Sequence, residues 1–142
     1  MIRSCTMNER CWTLLGSRDA DSGTWRVRLQ HIVLGERARV EADWSWTLTR
    51  EETQGDVMGF YHTHPDGVGT QPSQRDIRTM QVWCSALGKP LLCLIAEDRQ
   101  AGIPEGYVFE HDEHGGRAVD SLNSEEDGTC VVRESKQAKE AE

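Results

Sequence analysis

The sequence predicts a single α/β (α+β) domain in which a mixed sheet is flanked by helices. Two observations lead to this prediction. Alternating or continuous apolar segments, which are typical of strands, fill most of the first half of the chain. In the second half, residues 73–87 have the apolar i, i+3 and i+4 spacing of an amphipathic helix and lie between two apolar runs. The 142 residues suffice for one domain with a real core, but not for two.

The strands of the first half are predicted from apolar alternation and from the turns between them. A segment over 9–16 ends at a glycine, and a turn rich in Asp, Ser and Gly separates it from a strand over 24–34. A third short strand is predicted over 37–42. The segment 43–53 fits both periodicities, and we interpret it as a short helix or an irregular segment.

The second half contains the most regular pattern. A central strand is predicted over 55–63, followed by a loop and then by the helix over 73–87, for which Ser73 is the N-cap. Further strands are predicted over 91–96, which is entirely apolar, and over 107–109.

The composition shifts after residue 110 and predicts two regions. We expect 1–110 to be the folded domain and 111–142 to be an acidic, flexible tail, because its only apolar run is Cys130–Val132. A short part of this tail can still dock on the domain.

Charge and hydropathy exclude two classes of partner. The net charge of −8 argues against a nucleic-acid backbone as partner. No run approaches the roughly 18 apolar residues of a membrane span, so no membrane association is expected.

The five cysteines form no CxxC pair, and those at 84 and 93 lie in apolar surroundings, where a free thiol behaves as a small hydrophobe. This usage indicates a reducing compartment, so we expect a cytoplasmic protein.

Two histidines at the end of the central strand form the first part of a candidate metal site. His62 and His64 are separated by one residue, so both project from one face of a strand. Asp76 lies in the first turn of the following helix, which can return over that point. Two imidazoles and one carboxylate are the ligands of a catalytic zinc ion that keeps a fourth position open for water.

Such a site can hydrolyse an amide if two further groups are present. Zinc lowers the pKa of a water ligand to about 7, and a general base, here a glutamate from another strand, must relay its proton to the leaving amine. A donor must also face the developing oxyanion. Ser73 stands one helical turn before Asp76, so its hydroxyl can serve both as helix cap and as this donor.

The residues His62-Thr63-His64-Pro65 and Ser73-Gln74-Arg75-Asp76 together resemble the signature of the JAMM/MPN metalloprotease family. The segment Glu9–Gly16 is similar to the strand that carries the family's catalytic glutamate. The resemblance implies a cytidine-deaminase-like fold and one zinc ion (Zn2+) held by His62, His64 and Asp76. It also implies that Glu9 is the general base and acid and that Ser73 stabilises the tetrahedral intermediate.

Three features depart from the family pattern. Eight residues (65–72) separate the second histidine from the serine, one more than usual, so this loop must bulge. Trp12 stands where the family has glycine, and residues 1–8 are too few for the helix that usually opens the domain. Other glutamates are therefore kept as candidates for the base: Glu36, Glu41, Glu51 and Glu52.

The resemblance also implies a class of substrate. A small, single-domain form is similar to prokaryotic members that cut after the C-terminal glycine of a ubiquitin-like protein, in antiviral conjugation systems with activating and conjugating enzymes or beside sulfur-carrier proteins. We expect the first setting, with the substrate tail bound by strand addition. The alternatives are sulfur-carrier processing, a RadC-like DNA-repair-associated protein, whose motif is similar over His64–Gly67 and Pro72–Ile77, and a non-catalytic MPN scaffold.

Overall fold

A computed structural model describes residues 10–34, 43–97, 104–110 and 115–135, which form seven strands and two helices. The elements in chain order are β1 (Arg10–Asp19), β2 (Thr24–Leu34), α1 (Trp44–Gln54), β3 (Val57–His64), α2 (Gln74–Leu87), β4 (Leu91–Glu97), β5 (Glu105–Phe109), β6 (Arg117–Ser124) and β7 (Cys130–Glu134).

The strands form one closed barrel in the order β1-β2-β7-β6-β5-β4-β3, and β3 returns to pair with β1. Every neighbouring pair is antiparallel except β3 and β4, which run parallel over Gly59–His64 and Leu92–Glu97. A parallel pair needs a crossover connection, and α2 provides it. The carboxyl ends of β3 and β4 therefore lie side by side, next to the beginning of α2.

Both described helices begin at a polar cap and end at a glycine. The side chain of Asp43 accepts a first-turn backbone N–H of α1, and Ser73 Oγ accepts the N–H of Asp76 in α2 (3.0 Å). Gly55 and Gly88 follow the helices with φ angles of 68° and 71°, a left-handed conformation that suits glycine. These caps fix where α2 begins, and the first turn of α2 is part of the candidate site.

The barrel wall separates two apolar clusters. The inner cluster fills the barrel and consists of Leu14, Trp25, Val27, Met58, Tyr61, Leu92, Leu94, Ala96, Val108, Cys130 and Val132. The outer cluster lies beneath α2 and consists of Cys11, Phe60, Met80, Trp83, Cys84, Leu91, Cys93, Ile95 and Phe109. Because side chains alternate along a strand, Phe60, His62 and His64 share the face of β3 that α2 covers.

The fold confirms most of the predicted elements. The helix predicted over 73–87 begins one residue later, at Gln74, and ends at Leu87 as predicted. The segment 43–53 is helical as α1, which begins at Trp44. β1 was predicted to end at Gly16 but continues to Asp19. Gly16 does not end the strand, because it is itself paired with β2 within the β1–β2 register. The short strand expected over 37–42 lies outside the described residues. Neither described helix has the length and apolar character that a bilayer crossing requires.

The prediction of a flexible tail is wrong for residues 115–135. β6 and β7 complete the barrel there: β7 pairs with β2 over Thr24–Val27, and β6 pairs with β5. Cys130, Val131 and Val132 are buried. The region is polar in sequence because much of the surface of β6 is exposed to solvent. It is ordered all the same, because the neighbouring strands need hydrogen-bond partners for their backbone groups.

Candidate metal centre

The two histidines at the end of β3 point to one place, as the strand period predicts. His62 and His64 are 9% and 5% exposed, and their Nε2 atoms lie 3.2 Å apart. Burial of two imidazoles beneath α2 requires polar partners, and in the described region every buried side-chain nitrogen and oxygen has one.

Asp76 brings a carboxylate to the same place from α2. Its Oδ1 lies 3.2 Å from His62 Nε2, and its Oδ2 lies 3.0 Å from His64 Nε2. The capping box orients this carboxylate, since Oδ2 also accepts the backbone N–H of Ser73 (2.8 Å). The structure thus brings together the three residues that the sequence predicted as ligands, and they form the one cluster of potential metal-binding side chains found in the described residues.

The separations fit a small divalent cation. Ligand atoms about 2.0–2.1 Å from a tetrahedral zinc ion lie about 3.3 Å from one another. The two Nε2 atoms lie 3.2 Å apart, and each lies 3.0 to 3.2 Å from a different oxygen of Asp76. One ligand atom from each of the three residues lies within 4.8 Å of the other two. Imidazole nitrogen and carboxylate oxygen are both suitable donors, so these residues fit a divalent metal bound by three protein ligands.

Asp76 is in the form that metal binding requires. Burial raises the pKa of its carboxyl, but the neighbouring His62 and His64 rings and the Ser73 backbone N–H outweigh burial and hold the pKa well below its ordinary value. The group is therefore a carboxylate at neutral pH.

The loop after β3 fixes the orientation of His64. Its Nδ1 lies 2.8 Å from the carbonyl oxygen of Gly69, and because a carbonyl only accepts, Nδ1 carries the hydrogen. The lone pair of the neutral ring then lies on Nε2, which faces the other two ligands. Gly67 and Gly69 of this loop have φ angles of 91° and 96°, which suit glycine.

Ser73 lies next to the cluster, as predicted, but is exposed. Its Oγ accepts the N–H of Asp76, and this contact leaves the hydroxyl hydrogen available for donation. The N-terminus of α2, with its partial positive charge, faces the same place. Both features favour negative charge beside Asp76.

The structure describes only some of the candidate general bases. Glu9, Glu36 and Glu41 lie outside the described residues. Glu51 contacts the backbone N–H of Val57 at the opposite end of β3 (3.2 Å) and Lys89 Nζ (3.0 Å), roughly 17 Å of strand from His62. Glu51 is therefore wrong as a candidate base, and Glu52 is its exposed neighbour on α1.

Sequence reasoning missed one glutamate beside the site. Glu97 ends β4 and is the register partner of His64. Its Oε2 accepts the N–H groups of Gly67 (3.0 Å) and Gly69 (2.7 Å). An acidic residue directly after a long apolar strand was the available signal, but its neighbour depends on the parallel pairing of β3 and β4.

Cys84, Cys93 and Trp12 lie in packed, apolar surroundings. Cys84 and Cys93 are fully buried, which confirms that they lie in the apolar core. Burial raises the pKa of Cys84 to about 11 and that of Cys93 well above its ordinary value. Trp12, in the place of the family's glycine, packs edge-on against Tyr61 with ring centroids 5.2 Å apart.

Fold and site define a mixed α/β protein with a candidate His-His-Asp centre for a divalent metal. The chain belongs to the family of prokaryotic homologues of the JAB domain, whose model matches residues 2–106. This match confirms the JAMM/MPN resemblance, and β6 and β7 lie beyond the matched residues. A search of curated proteins gives no match.

Proposed function

We propose that this protein is a zinc-dependent peptidase or isopeptidase that hydrolyses the amide bond after the C-terminal glycine of a ubiquitin-like protein. The cluster of His62, His64 and Asp76 is the observation that carries the proposal, together with membership of the JAB-domain family. These three residues would hold the metal. A zinc ion bound there supplies Lewis acidity and a water ligand that ionises near neutral pH.

The remaining steps rest on residues of the chain itself. In this proposal, the Asp76 carboxylate and the Nε2 atoms of His62 and His64 would hold the metal. The carbonyl of Gly69 keeps the ring hydrogen of His64 on Nδ1. The Ser73 hydroxyl and the N-terminus of α2 stabilise negative charge that develops on the carbonyl oxygen of the substrate.

Glu9 would transfer the proton to the leaving amine. The backbone N–H of Arg10, which is covalently bonded to residue 9, donates to Thr63 Oγ1 (3.0 Å), and Cys11 is the register partner of His62. The first described residues of β1, Arg10 and Cys11, therefore contact β3 beside the two histidines. Because they directly follow residue 9 in the sequence, their position supports the assignment of Glu9 over Glu51.

An extended glycine-terminated tail is a suitable ligand for an open strand edge. Among the described strands, β7 pairs with β2 only over Thr24–Val27, so 28–34 pair with β1 alone. This part of β2 runs towards the metal end of the barrel, because Val33 is paired with Cys11. Strand addition here would bring the end of the tail towards the site.

Zinc stoichiometry and cleavage of a ubiquitin-like protein fused through its terminal Gly-Gly to a short peptide test the proposal. The wild type should bind one zinc and cleave after the glycine. His62→Ala and Asp76→Asn should lose both, whereas Glu9→Gln should keep zinc and lose cleavage. Asp120→Asn, an exposed carboxylate on β6, is the matched control and should retain both.

The outcomes separate the parts of the proposal. A wild type that does not bind zinc contradicts the metal centre. Zinc binding without hydrolysis of any Gly-terminated fusion or isopeptide contradicts the peptidase activity and favours a non-catalytic scaffold. Activity in Glu9→Gln would mean that another group is the base.

A further inference from the structure

Glu97 contacts a segment of the loop that has little packing of its own. Its carboxylate oxygen Oε2 accepts two backbone N–H groups, those of Gly67 and Gly69, on either side of Val68. Amide groups presented by residues with positive φ form a concave anion-binding surface, and here the anion is a side chain of the same protein. Hydrogen bonds to a carboxylate are stronger than those between neutral groups.

Around Val68 the loop makes few packing contacts, so polar contacts contribute most to its position there. A Cβ atom at Gly67 or Gly69 would meet nothing within 4 Å, and the side chain of Val68 is 63% exposed. A second polar contact lies one residue further on, where the Tyr107 hydroxyl donates to the carbonyl of Thr70 (3.1 Å). Among the described residues, Glu97 is therefore a charged partner of the Gly69 backbone.

Gly69 connects this carboxylate to the metal cluster. Its N–H is bound by Glu97 and its carbonyl oxygen accepts from His64 Nδ1, so one residue carries both contacts. We propose that Glu97 is a positioning residue for His64: through Gly69 it sets the tautomer and ring orientation that direct Nε2 to the metal. The inference rests on the metal-binding part of the proposed function and assigns Glu97 no contact with substrate.

Metal affinity and the His64 tautomer together test this role. We expect Glu97→Ala to weaken zinc binding about 10- to 100-fold, the usual effect of losing a group that orients a ligand. Glu97→Gln keeps an acceptor oxygen without the charge, so its affinity should fall between those of the wild type and Glu97→Ala. Glu105→Gln removes an exposed carboxylate from the neighbouring strand and should bind zinc like the wild type.

The second readout is independent of enzymatic activity. In the zinc-bound protein, ¹⁵N shifts of His64 should show zinc on Nε2 and hydrogen on Nδ1 in the wild type, and a mixture of the two ring orientations in Glu97→Ala. A role limited to loop stability would leave this ratio unchanged.

The result that overturns the inference is distinct from failure of the metal centre. If wild-type protein binds zinc, and both Glu97 variants bind it within about twofold of the wild type and keep its tautomer, then Glu97 does not position His64. If Glu97→Ala does not fold, Glu97→Gln decides the question. Absence of zinc binding in the wild type contradicts the proposed function itself.

Discussion

At the scale of single residues, the two ring nitrogens of His64 have different partners and different roles. Nδ1 donates to the carbonyl of Gly69, and Nε2 lies 3.0 Å from Asp76 Oδ2. A buried ring with only one partner would be free to flip and exchange its donor and acceptor atoms. The loop contact removes this freedom before any metal binds, which is the preorganisation that a metal site needs.

Glu134 provides a residue-scale prediction about pH. Burial raises the pKa of this carboxyl, but Arg18 Nε and Trp25 Nε1, both 2.7 Å from Oε2, and the nearby Arg117 together lower it below the ordinary value. A carboxyl with a lowered folded-state pKa stabilises the fold above the unfolded pKa of about 4.3, and this contribution disappears as the pH falls through the folded pKa.

We therefore expect Glu134→Gln to lower the free energy of unfolding at pH 7 by about 1.5–3 kcal/mol, the usual range for bonds to a charged group. The difference from the wild type should shrink as the pH is lowered below about 4. Chemical denaturation at several pH values measures both. Glu125→Gln, which breaks an exposed ion pair with Arg26, should change stability by less than about 0.5 kcal/mol at any pH, and a pH-independent Glu134→Gln effect would contradict the linkage.

The metal-binding residues could be predicted from the sequence because each depends on local geometry. The strand period places His62 and His64 on one face, and the cap at Ser73 fixes the helical position of Asp76. Glu97 could not be predicted in this way. Its proximity to His64 depends on the parallel register of β3 and β4, which are separated by the whole crossover helix.

At the scale of elements, the beginning of α2 combines a structural and a proposed catalytic role in one side chain. Ser73 Oγ accepts the N–H of Asp76, and the backbone of Ser73 donates to the Asp76 carboxylate. Loss of the side chain therefore changes both the helix end and the metal ligand. Two substitutions separate the roles, because glycine replaces a capping serine at little cost whereas alanine does not.

We expect Ser73→Ala to cost about 1 kcal/mol of unfolding free energy and Ser73→Gly only a few tenths. If the hydroxyl stabilises the oxyanion, both variants should lose cleavage rate to a similar extent, about 10²-fold or more. Denaturation and single-turnover cleavage, measured on both proteins with zinc bound, provide the comparison. Cleavage that follows stability, with Ser73→Gly near the wild type, would assign Ser73 to capping alone.

The β3–β4 pair depends on a glycine in β3. Gly59 has a φ of 149°, and a Cβ placed on it would lie 1.8 Å from the carbonyl oxygen of Leu92 in β4. Since Leu92 belongs to a buried strand, the clash is with backbone that cannot move aside locally.

Gly59→Ala should therefore destabilise the protein by more than about 3 kcal/mol, which is at the upper end for one substitution. The matched control is Gly128→Ala in the β6–β7 turn, where φ is 91° but the added methyl group meets nothing within 4 Å. The control should cost about 1–2 kcal/mol, from backbone conformation alone. Equal losses in thermal unfolding would show that close strand approach is not the cause.

At the scale of the whole molecule, the sequence predicted a mixed sheet but not its closure. Periodicity identifies strands and helices one at a time, whereas closure depends on which strands pair. The clearest difference concerns β6 and β7, which lie in a region too polar to be recognised as part of the core. Val119 and Leu122 nevertheless pack against the inner cluster, and Val132 belongs to it.

Closure predicts that residues 1–110 will not fold as an independent domain. A chain ending at Glu110 loses the partner of β2 over Thr24–Val27 and the partner of β5, and it removes Cys130 and Val132 from the inner cluster. Trp25 would also lose its hydrogen bond to Glu134. The exposed inner cluster and the unpaired strand edges both favour unfolding or aggregation.

The expected result is a loss of cooperative thermal unfolding in the 1–110 protein and poor dispersion of its amide resonances, even with zinc present. A chain ending at residue 135 retains every described strand and is the control, which should unfold cooperatively like the full chain. If the 1–110 protein instead unfolds cooperatively and binds zinc, β6 and β7 are an addition to a self-sufficient domain. In that case the inner cluster must be stable without the contacts of Cys130 and Val132.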